Sequence, residues 1–140
     1  MLADLGGELT KEVIGAAIEV HRELGPGLLE SAYAACLACE LSRCRISFTR
    51  EVKLPVIYKG VEVDCRYMID FVVAEQLVIE LKAVELIIPL HEAQVLTYLR
   101  LSGCELGLLI NFNDVLLKRG GSSVRLFLCA FCASAVNLLA

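Results

Sequence analysis

Tyr67-Met68-Ile69-Asp70-Phe71-Val72-Val73, then Ala74-Glu75-Gln76, then Leu77-Val78-Ile79-Glu80-Leu81-Lys82-Ala83-Val84, reads as a strand pair with three charged side chains inside otherwise apolar runs. Charges in a sheet interior are costly to desolvate unless they face one another or hold a cation. A three-residue loop over Ala74, Glu75 and Gln76 pairs Val73 with Leu77. Counting outward then sets Asp70 opposite Glu80, with both side chains on one face. Directly opposed residues bring their Cβ atoms to roughly 4.5–5.5 Å. That is too close for two bare carboxylates and suits two carboxylates sharing a divalent cation. Lys82 projects from the same face as Glu80, and Leu81 from the other. A two-residue loop would put Asp70 opposite Leu81 and move Glu80 to the far face, so the site depends on this register.

Upstream, Val13, Ala16, Ala17, Val20 and Leu24 recur at helical spacing, and Gly25-Pro26-Gly27 stops that helix. A second helix is expected from about Leu28 to Cys44. Two extended stretches follow, Phe48 to Tyr58 and Val61 to Ala74, joined at Lys59-Gly60, and the Leu77 to Val84 strand completes a meander. Pro89 marks the first turn of a third helix ending near Gly103. The apolar run Glu105 to Phe112 is expected as a buried strand pairing parallel through that helical crossover. Gly120-Gly121 then turns the chain into a last short strand, Val124 to Leu128. The fold class expected is α/β, one domain over residues 1–140, with a mixed sheet flanked by helices. The uncharged tail from Cys129 to Ala140 fits either a short helix over the core or a dimer contact.

The chain of 140 residues is 57% hydrophobic and carries a net charge of −4, with a mean hydropathy of +0.67. Much of it should be buried, part of it against a second copy in a homodimer. No run reaches the roughly 18–20 apolar residues of a membrane helix, and the first residues lack the features of a signal peptide, so the cytoplasm is the expected compartment. Seven cysteines, an odd number, read as reduced core thiols rather than as a disulfide framework. The net charge does not advertise nucleic-acid binding, but Arg43, Arg45, Arg50, Lys53 and Lys59 cluster before the hairpin, and local cations are what count.

Further residues would complete a site. Glu30 falls in the first turn of the second helix, and His91, Gln94 and Tyr98 share one face of the third. Gly27-Leu28-Leu29-Glu30-Ser31-Ala32-Tyr33 matches the GxxExxY signature, and here the sequence resembles the family of that name, placed in the PD-(D/E)XK nuclease-like superfamily. The resemblance runs on through Asp70, Glu80-Leu81-Lys82, Gln94, Tyr98 and Gly107 to Phe112, spanning roughly residues 9 to 128. It implies a restriction-endonuclease-like core and a nuclease hydrolysing phosphodiester bonds of nucleic acid, with DNA the expected partner. By resemblance Asp70 and Glu80 are the acidic metal ligands, Lys82 the motif lysine, Glu30 the helical glutamate, and Gln94 and Tyr98 the pair found in resolvase-like members. Ile69 stands where the superfamily name has proline.

The implied chemistry uses Mg²⁺ or Mn²⁺ held by Asp70, Glu80 and the Leu81 carbonyl, with Glu30 completing the shell or binding a second ion. Lys82 orients the attacking water or stabilises developing charge, and Gln94 and Tyr98 hold phosphate or water. Taken alone, an ExK pair is most often an exposed salt-bridging face, Glu30 could merely favour the helix dipole, and His91 reads better as structural than as a ligand. Two rival functions stand beside the nuclease: a metal-thiolate module on Cys36/Cys39 and Cys129/Cys132, whose separation is far from that of a zinc ribbon, and a binding protein that keeps the fold without chemistry. No stretch reads as a base-reading helix or an aromatic stacking platform, so the sequence leaves the substrate strand unspecified.

Overall fold

A computed structural model describes residues 7–115, 117, 123–130 and 134–137, with side chains to residue 128. Helix α1 (Gly7–Leu24) buries the apolar stripe Val13, Ala16, Ala17 and Val20. It ends at Gly25, whose φ of 69° lets its N–H bond the His21 carbonyl at 2.8 Å. Helix α2 (Glu30–Arg43) starts two residues later than the apolar pattern predicts. Gly27 at φ 97° and an extended Leu29 (φ −71°, ψ 150°) hold the preceding segment out of the helix.

Strands β1 (Phe48–Tyr58) and β2 (Val61–Val73) pair antiparallel across Lys59 (φ 49°) and Gly60 (φ 81°), a turn with both central residues left-handed. Strand β3 (Leu77–Lys82) pairs antiparallel with β2. Helix α3 (Pro89–Ser102) then crosses over to β4 (Leu106–Asn111), parallel to β3, as the apolar run predicted. Strand β5 (Val124–Ala130) pairs antiparallel with β4 and carries β6 (Ser134–Asn137), giving a six-stranded sheet in the order β1-β2-β3-β4-β5-β6. Residues 134–137 are thus strand rather than the helix considered for the tail. The remainder of that segment lies outside the described residues.

The two sheet faces bury separate cores. Residues of α1 and α2 pack on Phe71, Val73, Leu77, Ile79, Leu81, Leu108 and Ile110. Val95, Tyr98 and Leu99 of α3 pack on Ile69, Val78, Leu109 and Phe127. Leu108 and Leu109, adjacent on β4, divide between the two cores as strand alternation requires. Among the described residues no helix is long and apolar enough to cross a membrane.

Candidate functional site

The hairpin register is the one that the three-residue loop predicts. Phe71↔Ile79, Val72↔Val78 and Val73↔Leu77 are the paired rungs of β2 and β3, and Asp70 and Glu80 are next in line. The ladder stops there. Ile69 and Phe71, two residues apart, pack in opposite cores, so the alternation of β2 breaks at Asp70. Glu51, which the β1 register sets across from Asp70, breaks with it at φ 52°. Asp70 Oδ2 accepts the Leu81 N–H at 2.8 Å, a side chain replacing the strand partner that Leu81 would otherwise have. The expectation of a flat, directly opposed acid pair is therefore corrected: the two carboxyls meet at the point where the strands part.

Glu80 is only 4% exposed, and its Oε1 is buried with no hydrogen-bond partner. Oε2 faces Lys82 Nζ at 3.6 Å. Burial first, then the adjoining Asp70 carboxyl, push the Glu80 carboxyl from 4.5 up to about 9, against the pull of Lys82. Two ionised carboxylates do not fit here without a shared proton or cation. Lys82 shares the α3 face with Glu80, as predicted. Strand β3 ends at Lys82 rather than Val84, because the next two amides bond side chains instead of a ladder: Ala83 N–H donates to Glu30 Oε1 at 3.2 Å and Val84 N–H to Asn111 Oδ1 at 3.1 Å.

Glu30 is the first residue of α2, reaching β3 from the other face of the sheet. With Ser31, Ala34, Arg50, Glu51, Asp70 and Leu81 it lines a pocket of about 230 Å³. Tyr33, fully buried, fixes the approach: its hydroxyl donates to the Gly25 carbonyl at 2.6 Å, accepts the Leu28 N–H at 3.2 Å, and its ring stacks on Phe112 at 4.6 Å. The spacing Gly27, Glu30, Tyr33 thus has a physical reading: a left-handed turn, a carboxylate aimed at β3, and a tether for the turn.

On α3, Gln94 Nε2 donates to the Tyr98 hydroxyl at 3.0 Å. Burial, then the negative charge of Glu80, push the Tyr98 phenol up to about 12, so it stays protonated at neutral pH. His91 Nδ1 accepts the Ile88 N–H at 3.2 Å, a cap on the helix start that fits the structural role expected for it.

The sequence reading missed Asn111, 2% exposed, which grips Val84 through both backbone groups: Oδ1 accepts its N–H, and Nδ2 donates to its carbonyl at 2.9 Å. A polar residue closing an apolar strand was the available signal. Tyr67 was quoted but given no role, and it sits edge-on to Tyr98 with centroids 5.9 Å apart. Cys36 and Cys39 of the first CxxC pair are half-buried and exposed on α2. The side chains of Cys129 and Cys132 lie outside the described residues.

Among the described residues no group of three or more His, Cys, Asp or Glu side chains is set to hold a cation. Two carboxylates are present, one with an orphaned buried oxygen, and hard oxygen donors of this kind fit Mg²⁺, which keeps several waters rather than demanding a full protein cage. Glu30, occupied by the Ala83 amide, stands beside this pair without closing a three-acid shell.

Residues 7–124 match the PD-(D/E)XK nuclease superfamily. No curated protein and no solved structure gives a significant match.

Proposed function

Because the chain belongs to the PD-(D/E)XK nuclease superfamily, we propose that it is a Mg²⁺- or Mn²⁺-dependent nuclease that hydrolyses phosphodiester bonds, with DNA its first substrate class, and that it stands in the GxxExxY branch through Gly27, Glu30 and Tyr33. The observation carrying this reading is Glu80: a buried carboxylate with an orphaned oxygen, beside Asp70 and 3.6 Å from Lys82. A proton shared with Asp70, or a cation held between the two acids, would satisfy that oxygen.

Asp70, Glu80 and the Leu81 carbonyl are the groups to hold a divalent cation. Such a cation, when bound, makes water more acidic and offsets phosphoryl charge. The protein's own groups supply the rest. Lys82, held against Glu80, presents a fixed ammonium that orients the attacking water or steadies the charge growing on the phosphate. The Gln94 amide holds a phosphate oxygen or water, and Tyr98, keeping its proton, fixes the orientation of Gln94. Glu30 acts first by positioning the Ala83 amide at the end of β3.

Incubation of single-stranded, duplex and branched DNA and of RNA with Mg²⁺ or Mn²⁺, beside Asp70→Ala and Lys82→Ala proteins, tests the reading. Cleavage by wild type and its loss in both variants is expected. Equal nicking by all three proteins would expose contamination and sink the proposal, and tight binding without cutting would favour the non-catalytic rival. The homodimer expected from the apolar excess gains support from exposed Ile57, Tyr58 and Val61 at the β1–β2 tip; a monomeric mass at micromolar concentration would remove it.

A further inference from the structure

Beside Lys82, between β2 and α3, runs a groove of about 400 Å³ lined by Tyr67, Leu90, His91, Ala93, Gln94 and Thr97 together with that lysine. Its walls are unusual for a site facing a polyanion. Tyr67 is 39% exposed and Leu90 72% exposed, and Lys82 is the one Lys or Arg among the lining residues. The Tyr67 ring does not swing freely, because it packs against Tyr98 at an interplanar angle of 67°, and Tyr98 is itself held by Gln94. A pre-set aromatic face beside an exposed leucine matches the flat π surface of an unstacked base. Duplexes are gripped mainly through their phosphates and hide those surfaces in the stack.

Phosphate partners lie on the other side of the same hairpin. Val52 and Leu54 pack with the α3 core, so alternation turns Lys53, between them, to the opposite face, and the register Pro55↔Arg66 puts Arg66 there as well. Arg50 lines the pocket that holds Asp70. Arg50, Lys53 and Arg66 form no ion pair among the described residues. Arg50 and Asp70 share a pocket on that face, and Lys82 lines the groove on the other.

We propose that this groove receives an unstacked base on Tyr67, and that the ligand of the site is single-stranded nucleic acid whose backbone continues past Asp70 onto Arg50, Lys53 and Arg66. The inference rests on the nucleic-acid reading above and adds the strand state to it.

The test is fluorescence anisotropy on the full chain with labelled oligothymidylate, oligouridylate and a DNA duplex of equal length, with Ca²⁺ in place of Mg²⁺. Single strands should bind at least tenfold tighter than duplex, with the two single-stranded arms separating DNA from RNA. Tyr67→Ala should weaken single-strand binding about tenfold, Tyr67→Trp should retain it, and Arg66→Gln should flatten its salt dependence. Duplex binding equal to or tighter than single-strand binding, or no change in Tyr67→Ala, overturns the inference. Cleavage with Mg²⁺ separates the two proposals. Tyr67-dependent binding without cutting removes the nuclease chemistry and keeps the groove. Lys82-dependent duplex cutting that Tyr67→Ala leaves intact keeps the chemistry and removes the groove. Binding of none of the three probes removes both.

Discussion

Glu80 is held in a conflict that a proton or a cation resolves. Its folded pKa, pushed from 4.5 up to about 9, means that the folded chain binds a proton which the unfolded chain releases. Below pH 4.5 the group is protonated in both states and costs nothing. As pH rises from there toward 9 the unfolded state ionises first, so stability falls, by up to about 1.4 kcal/mol per pH unit from this one group. Urea titrations across that range should show the decline in wild type and a flatter profile in Glu80→Gln. Mg²⁺ competes with the proton, so its stabilising effect on wild type should grow between pH 6 and pH 8 and be absent in Glu80→Gln; a pH-independent effect would count against the carboxylate pair as the cation site. Asp70, Glu80 and Lys82 were legible in the sequence because strand alternation and one loop length fix their register. The turn of Asp70 onto the Leu81 amide was not, since the break in alternation at Asp70 and Glu51 comes from the packing of Ile69 and Phe71 into different cores. Local pattern holds no trace of that.

At the scale of elements, the start of α2 shows how a short motif becomes geometry. Gly27 has φ 97° and open space where a Cβ would point, so Gly27→Ala is strained by the backbone alone, at about 1–3 kcal/mol. Tyr33→Phe strips the Gly25 carbonyl and the Leu28 amide of their partner, at about 1–3 kcal/mol. Both changes loosen the same loop, so the double variant should lose less than the sum, readable as a coupling energy in a denaturant cycle. Because that loop aims Glu30 at the Ala83 amide, Tyr33→Phe should also lower cleavage rate more than nucleic-acid affinity. An additive cycle, or an unchanged rate, would mean that the tether and the carboxylate are independent. The sequence displayed the helix and its stop signals. It placed the helix start at Leu28 because apolar periodicity continues through residues that Gly27 and the extended Leu29 exclude.

The whole molecule brings these parts together from opposite sides of one sheet, with Glu30 arriving from the α1–α2 layer and Gln94 and Tyr98 from α3. The crossover α3 must therefore sit at a fixed height on β4, and Gly107 sets that height. A Cβ at Gly107 would meet Val95 Cγ1 at 2.9 Å and Leu99 Cδ2 at 3.3 Å. Neither side chain can yield easily: Val95 is stiff at χ1, and both are fully buried. Gly107→Ala should lift α3 from the sheet, costing about 1–3 kcal/mol through overpacking, and carry Gln94 and Tyr98 away from Glu80 and Lys82. Asp70, Glu80 and Glu30 stand on β2, β3 and α2 rather than on α3, so the carboxylates should be spared. Mg²⁺-dependent stabilisation should then survive in Gly107→Ala while cleavage falls, a separation that simple unfolding cannot produce. Pairing Gly107→Ala with Val95→Ala, which removes the closest obstructing methyl, should restore part of the rate. Loss of cation stabilisation together with cleavage would show that α3 sets the carboxylates as well as the groups facing them.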